Sequence, residues 1–320
     1  MYYIGYDIGG TKCAVSLGKV ENDNITVIGK RQFPTSGAPL DVLAKMADEM
    51  EILLSENSLG FSDITRAGIS CGGPLDSVRG VILSPPNLPG WDEIPATDFL
   101  FERTGVETRL QNDANACAVA EWKFGAGRGV NNMAFLTFGT GLGAGLILDG
   151  RLYSGTSDMA GEVGHIRLAA DGPIGYGKHG SAEGFCSGGG IARSGIAAVK
   201  KAMENGEKPA LYDAVGGDLD KITARLIAEM ANDGDEFCKE IYASCGRRLG
   251  MLLSFMMDMI NPEVIVLGGV FMRSGHLIRP AMEQVITEEA LPHASRVCRV
   301  LPAGLGESIG DYAALSVAYM

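Results

Sequence analysis

The stretch YYIGYDIGGTKCAVSLGKV, residues 2–20, decides the fold. Residues 2–8 and 13–20 are rich in aromatic and aliphatic side chains and predict two strands, with Gly9-Gly10-Thr11-Lys12 as a tight turn between them. The pattern recurs half a chain later. NMAFLTF (132–138) predicts a strand, GTGLG (139–143) a glycine turn and AGLILDG (144–150) a second strand. Two strand–turn–strand units predict an internal duplication at the level of the fold.

Working outward from the first unit, NITVIGKRQF (24–33) predicts a third strand and RAGISCG (66–72) a buried one. Residues 40–58 carry Leu40, Leu43, Ala44, Ala47, Met50, Leu53 and Leu54 close to a 3.6-residue period, the pattern of an amphipathic helix. A loop rich in proline and glycine covers 84–95, and ANACAVAEWKFG (114–125) predicts a helix. Residues 151–192 are glycine-rich with few apolar runs and are expected to be a functional loop region. Helices dominate from about 190 to 260, where Asn261-Pro262 is a stop signal. VIVLGGV (264–270) predicts a buried strand ending in paired glycines, and residues 308–320 a closing helix. Strand hairpins followed by helices, twice over, predict an α/β fold with a mixed sheet in each of two domains.

Composition narrows the function. The 320 residues suit two domains of ordinary size, and 46% hydrophobic with 21% charged residues is a globular composition. A formal net charge of −12 disfavours phosphodiester backbones, so general nucleic-acid binding is not expected. The longest apolar runs, such as MLLSFMMDMI at 251–260, are about half a bilayer's span, and the N-terminus lacks the basic segment of a signal peptide. No membrane partner is expected. Seven scattered cysteines without a Cys-x-x-Cys pair fit a reducing cytoplasm rather than a disulfide framework.

Four clusters can carry chemistry. Asp7-Ile8-Gly9-Gly10-Thr11-Lys12 places successive amides at a turn where a phosphate is bound readily, with Asp7 placed to hold a hydrated Mg²⁺; an ordinary hairpin with a solvated acid is the alternative. Gly139-Thr140-Gly141-Leu142-Gly143 is the matching turn. It brushes the dinucleotide fingerprint G-x-G-x-x-A, but that fingerprint needs a helix next, and AGLILDG predicts a strand. Asn112-Asp113 stands where a strand opens into a helix, so Asp113 is either a base for a hydroxyl or a helix cap. Gly161-Glu162-Val163-Gly164-His165 sets an acid and an imidazole three apart, and Glu183 lies in the glycine-rich stretch that follows.

Taken in order, these segments resemble the ROK family of sugar kinases and sugar-responsive repressors. DIGGTK resembles its first phosphate motif, GISCGGPLD (68–76) its Gly-Pro connection near the sugar and QNDANA the segment of its catalytic Asp. LTFGTGLGAGLILDGRLYSG resembles the second phosphate motif, GEVGH the E-x-G-H motif and VIVLGGV the segment under the adenosine. The resemblance implies an actin-like (ribonuclease H-like) duplicated fold. A smaller domain would span 1–112, completed by a helix at 306–320, and a larger one 113–305. It implies ATP and Mg²⁺ as cofactors, with the nucleotide at Asp7, Gly9, Gly10, Thr11, Lys12, Gly139, Thr140, Gly141, Gly268 and Gly269. A hexose or N-acylhexosamine would lie at Gly73, Asn87, Asn112, Asp113, Glu162, His165 and Glu183, with Asp113 as general base. A homodimer is also implied. The alternative within the family is a sugar-sensing regulator without turnover; a first strand at residue 2 leaves no room ahead of it for a helix-turn-helix. One departure stands out. Where the family carries zinc-binding cysteines, this chain has Ile174, Tyr176 and Ser181, so no zinc is expected, and packing by Tyr176 and Phe185 is expected to hold the 171–188 loop instead.

Overall fold

The computed structural model describes residues 1–22 and 24–320. The chain opens with strands β1 (Tyr2–Ile8), β2 (Lys12–Glu21) and β3 (Asn24–Pro34), helix α1 (Pro39–Glu56) and strand β4 (Ile64–Cys71). A small ribbon of β5 (Leu75–Asp76), β6 (Val81–Ile82) and β7 (Ile94–Pro95) follows, then α2 (Ala96–Thr104), β8 (Thr108–Asn112) and α3 (Asp113–Phe124). The second hairpin is β9 (Met133–Phe138) and β10 (Leu142–Leu148), extended by β11 (Arg151–Tyr153). After it come a two-stranded hairpin of β12 (Ile174–Gly175) and β13 (Lys178–His179), and helices α4 (Ala182–Phe185), α5 (Gly188–Glu204), α6 (Ala210–Ala214), α7 (Ala224–Asn232) and α8 (Glu236–Ile260). The chain ends with β14 (Val264–Leu267), α9 (Val270–Glu289), α10 (Pro292–Val297), β15 (Arg299–Pro302) and α11 (Ile309–Tyr319).

The chain divides into two compact units. The first comprises Met1–Phe135, Gly145–Gly161 and Ala303–Met320, and the second Leu136–Ala144 and Glu162–Pro302. In the first unit a five-stranded sheet has the order β3-β2-β1-β4-β8. β1, β4 and β8 run parallel, while β2 and β3 are antiparallel to their neighbours, so the sheet is mixed. On one face α1 buries Val42, Leu43, Met46, Met50, Leu53 and Leu54 among Ile4, Val15, Leu17 and Ile69. Each such side chain is worth roughly 1.5–3 kcal/mol when taken out of water. On the other face α11 lies directly on the strands. Gly5 makes this approach possible: a Cβ there would stand 2.9 Å from the amide nitrogen of Leu315.

The parallel register has a consequence for chemistry. Asp7 pairs with Ser70, Ile8 with Cys71, and Cys71 with Asn112. The first glycine turn and the Asn112-Asp113 junction therefore leave the same, carboxyl edge of the sheet, the edge at which parallel α/β sheets bind ligands.

The remaining strands have the order β11-β10-β9-β14-β15, with β9 and β10 each beginning in one unit and ending in the other. In the second unit β14 and β15 are parallel, Val264 pairing with Arg299. α8 packs on α9 through Gly246 and Gly250; a Cβ on Gly250 would stand 2.7 Å from the carbonyl oxygen of Met282. α8 stops where the Asn-Pro pair predicts, with Asn261 in the left-handed conformation (φ 49°) as its cap.

The two hairpins, α1, α3, β4, β14 and α11 lie where the residue pattern puts them. Residues 151–192 do not form one long loop: they hold β11, the β12–β13 hairpin, α4 and the start of α5. No strand or helix period marks them because their order comes from backbone pairing in a glycine-rich segment. Gly180 N donates to Pro173 O at 3.2 Å and Leu168 N to Gly180 O at 2.8 Å. Among the described residues no helix is long and apolar enough to cross a membrane.

Candidate active site

In the first unit, the turn at 9–12 is pinned from inside and out. Gly9 N donates to Lys12 O at 3.2 Å, and Thr35 Oγ1, just past the end of β3, donates to Gly9 O at 2.6 Å while Thr35 N donates to Thr11 O at 3.0 Å. Thr11 and Lys12 are exposed at its rim. Gly10 abuts Asn87, whose backbone carbonyl would collide with any Cβ at that position. A Cβ on Gly72 would stand 3.2 Å from Asn87 Oδ1, and one on Gly73 3.0 Å from Asn112 Nδ2. Gly10, expected at the nucleotide, thus lies against Asn87, and Gly73 lies against Asn112, the last three being residues expected at the sugar.

The junction from β8 into α3 shows which residue caps the helix. Asn112 is the cap: its Oδ1 accepts from Ala114 N at 2.9 Å. Asp113 sits at the first helical position, and its Oδ1 also accepts from Ala114 N, at 2.7 Å, which orients the carboxylate. Beneath them, Gln111 Oε1 accepts from Asn112 N at 2.9 Å and from Asn115 Nδ2 at 3.1 Å, and Gln111 Nε2 donates to Ser154 Oγ at 3.3 Å. Sequence reasoning missed this buried brace, although QNDANA contains both of its amides.

Electrostatics mark the same edge. Asp7 is half-buried and its carboxyl is pushed up to about 6, first by burial, then by the charges of Asp113 and Asp311, against the pull of Lys30 and Lys12. Lys30 is itself ion-paired with Asp311. Asp113 is exposed as a residue, yet the protein packed around its carboxyl also raises it above the ordinary range, against the backbone N–H groups that lower it. A half-buried acid whose charge is disfavoured by its neighbours suits a site that binds a cation or gains a proton. Asp7 and its neighbours fit a hydrated Mg²⁺ accompanying a nucleotide: the donors are hard carboxylate oxygens, and a cation would relieve the repulsion.

In the second unit, Gly139 N donates to Gly141 O at 3.1 Å, closing the second glycine turn. Thr137 Oγ1 accepts from Gly143 N at 3.0 Å. Glu183 Oε2 accepts from Leu142 N at 3.1 Å, and Gly188 N donates to Gly139 O at 2.8 Å. The turn leads into β10, a strand, so the dinucleotide fingerprint fails as expected. Thr140 is exposed. Gly268 N bonds to Leu136 O at 3.0 Å, and Gly269 adopts φ 58°, where a side chain would collide with Phe138 O. The paired glycines therefore pack against the second turn.

Glu162 and His165 lie exposed at the two ends of one short turn, with His165 N bonded to Glu162 O at 3.2 Å. Lys178 Nζ donates to His165 O at 2.7 Å. Of the two aromatic residues expected to hold the 171–188 segment, Phe185 packs and Tyr176 does not. Tyr176 is 72% exposed, at φ 44°, and meets only the edge of His165, with ring centroids 6.2 Å apart. Phe185 does pack, under the guanidinium of Arg248 at 4.9 Å. The fastening comes instead from Ser181, whose buried hydroxyl donates to Gly175 O and accepts from Gly184 N, both at 3.2 Å. Zinc does not fit these positions. Ile174 and Tyr176 offer no thiolate, the Ser181 hydroxyl is committed within the protein, and among the described residues no group of three or more His, Cys, Asp or Glu is placed for a metal ion.

The chain belongs to the ROK family, whose model matches residues 3–319. It is 30% identical to the glucokinase of Halalkalibacterium halodurans over 97% of this chain and 92% of that protein. Its structure is similar to that of a ROK family glucokinase from Streptomyces griseus, solved in complex with glucose and AMPPNP, with a TM-score of 0.75 and 28% identity over 100% of this chain and 99% of that one. It is also 28% identical to the xylose repressor of Caldicellulosiruptor bescii over 70% of this chain and 54% of that protein. The α/β architecture with mixed sheets is the actin-like ATPase fold of the ROK kinases.

Proposed function

We propose that this chain is an ATP-dependent sugar kinase that phosphorylates a hydroxyl of a hexose or N-acylhexosamine. The observation that carries the reading is the parallel pairing of β1, β4 and β8, which brings the Gly9–Lys12 turn and Asp113 out at the same carboxyl edge of the first sheet. End-to-end similarity to glucokinases supports it.

In this reading Asp113 is the general base. Its Oδ1 is fixed by the Ala114 amide, so the carboxylate meets the attacking hydroxyl in one orientation. As the sugar oxygen bonds to the γ-phosphorus, the hydroxyl proton passes to Asp113, and the bond to the bridging oxygen breaks to release ADP. Mg²⁺ bound with the nucleotide supplies charge neutralisation. Asp7 helps to hold it, and the amides of 9–12 and 139–143, with Gly268 and Gly269 behind the second turn, receive the nucleotide. Asn87, Asn112, Glu162, His165 and Glu183 offer donors and acceptors for sugar hydroxyls, and Gly73 leaves room beside Asn112. A cytoplasmic homodimer is part of the proposal, and light scattering on the purified chain tests its second half.

The test is an ADP-release screen of the full chain with Mg·ATP across a panel of hexoses and N-acylhexosamines. Turnover on at least one, lost in Asp113→Asn, is expected. Similarity to a xylose repressor favours one other reading, sugar sensing without turnover. Saturable sugar binding with no ADP release from any member of the panel would establish that reading and overturn the kinase.

A further inference from the structure

We infer that Glu183 is a positioning residue that serves both substrates at once, one carboxylate oxygen fixing the second glycine turn and the other left for the sugar, with Ser181 holding it in register. The identity of the two ligands rests on the sugar-kinase reading; the fastening of the turn does not.

Glu183 Oε2 accepts from Leu142 N at 3.1 Å, and a Cβ on Gly141 would stand 2.7 Å from the same oxygen. The carboxylate therefore lies against the turn, and glycine at 141 is what lets it approach. Among the described residues Oε1 accepts no hydrogen bond, so half of the carboxylate's capacity is unspent. The main chain around Glu183 grips the other end of the same turn. Ser187 Oγ donates to Glu183 O at 2.7 Å and accepts from Gly190 N at 2.9 Å, and Gly188 N donates to Gly139 O at 2.8 Å. The segment from Glu183 to Gly188 thus holds both the Gly139 carbonyl and the Leu142 amide.

Something must hold Glu183 in turn, because α4 is only four residues long, too short to be stable alone. Ser181 does so. It is fully buried, caps α4 through Gly184 N and ties it to the β12–β13 hairpin through Gly175 O. A sugar hydroxyl donating to Oε1 narrows the motion of the carboxylate and with it that of Leu142 and the turn. Nucleotide then meets a turn already ordered, and by linkage the nucleotide helps the sugar equally.

Two measurements on the full chain separate the possibilities. The first is amide exchange of the ligand-free protein over 139–143. Glu183→Ala is expected to speed exchange at Leu142 by about 10-fold or more, Ser181→Ala to do so to a lesser degree, and Glu183→Gln, which keeps an oxygen acceptor, to change it little. Unchanged protection in both alanine variants would overturn the inference whatever the protein catalyses. The second is steady-state kinetics with the acceptor found in the screen. Glu183→Ala is expected to raise KM for ATP and for the sugar together, by roughly 10-fold each. Glu183→Gln is expected to raise the sugar KM while leaving the ATP KM within about 3-fold of wild type. A rise in the sugar KM alone for Glu183→Ala reduces Glu183 to a sugar contact and overturns the positioning role. Absence of turnover on every sugar defeats the kinase reading and leaves the exchange result to decide this one.

Discussion

The two glycine hairpins are built alike and used differently. In the first, Asp7-Ile8-Gly9-Gly10-Thr11 ends a strand with a carboxylate two residues before the turn; in the second, the corresponding place in Thr137-Phe138-Gly139-Thr140-Gly141 holds a threonine. Thr137 spends its hydroxyl across its own hairpin, accepting from Gly143 N. Asp7 has no such local duty and is held half-buried near Asp113 and Asp311 at an electrostatic cost. Bracing is reversed too. The first turn is fastened by the neutral hydroxyl of Thr35, and the second by the carboxylate of Glu183. The two turns thus differ in where charge stands: near the first as the half-buried Asp7, and against the second as the carboxylate that holds Leu142 N.

The largest effect should come from the acid beside the first turn. Asp113→Asn keeps the shape and the Ala114 contact but removes the basicity. A fall in kcat of about 10²–10⁴-fold is expected, with sugar binding largely kept. Retention of more than about a tenth of the activity would remove Asp113 from the base role.

Asp7→Asn comes next, and it should move activity and stability in opposite directions. Loss of one charge beside the metal-bound phosphates is expected to cost roughly 10²-fold in kcat. The native pKa of about 6 lies above the unfolded value near 3.8, so the folded protein binds more protons between those limits. Stability therefore falls as pH rises through that window, and the full penalty stands above pH 6. Asparagine removes the penalty. Without Mg²⁺ at pH 7.5 the variant should melt a few degrees above wild type, at about 2–4 °C per kcal/mol for a chain of this size, and the gap should close near pH 4. A gap independent of pH would show that charge is not its cause.

The exposed pair of the second unit should have a smaller effect. Truncating Glu162 or His165 to Ala is expected to raise the sugar KM by about 10- to 100-fold, the worth of one charged hydrogen bond, with the ATP KM moving less. Equal changes in both constants, with a lower Tm, would make them structural.

How far these residues could be read in the sequence follows from what holds each of them. The hairpins were legible because strand periodicity stops sharply at glycines, and Asn112-Asp113 because a strand meets a helix there. Whether Asp113 caps the helix stayed open, since the cap falls on the residue before it: Asn112 accepts from Ala114 N as the cap, and Asp113 Oδ1 accepts from the same amide at the first helical position. The short elements inside the 151–192 loop region, and the exposure of Tyr176, were not legible because glycine-rich chain paired through its backbone leaves no apolar period. The fasteners that matter most, Thr35, Ser181 and Ser187, are single hydroxyls bonded to main chain. Ser and Thr are too common in sequence to announce that duty.

The smallest predicted effect is the one that isolates the contrast. Thr137→Val keeps the volume of the side chain and deletes the oxygen that accepts from Gly143 N at 3.0 Å. Thr137 and Gly143 are both half-buried, so the Gly143 amide left behind is only partly rehydrated and the loss should be about 1 kcal/mol, or roughly 2–4 °C in Tm, at every pH where the protein is folded, because no titrating group is touched. Catalysis should be nearly intact, with the ATP KM within about 3-fold, since the turn keeps its Glu183 and Gly188 contacts. The corresponding substitution at Asp7 predicts the reverse on every count: higher Tm above pH 6, strong pH dependence and crippled turnover. Melting curves of Asp7→Asn and Thr137→Val recorded together at pH 4.5 and 7.5 compare the two turns directly. If both lower Tm alike at pH 7.5, Asp7 is a structural residue like Thr137, and the division of labour between the hairpins is wrong.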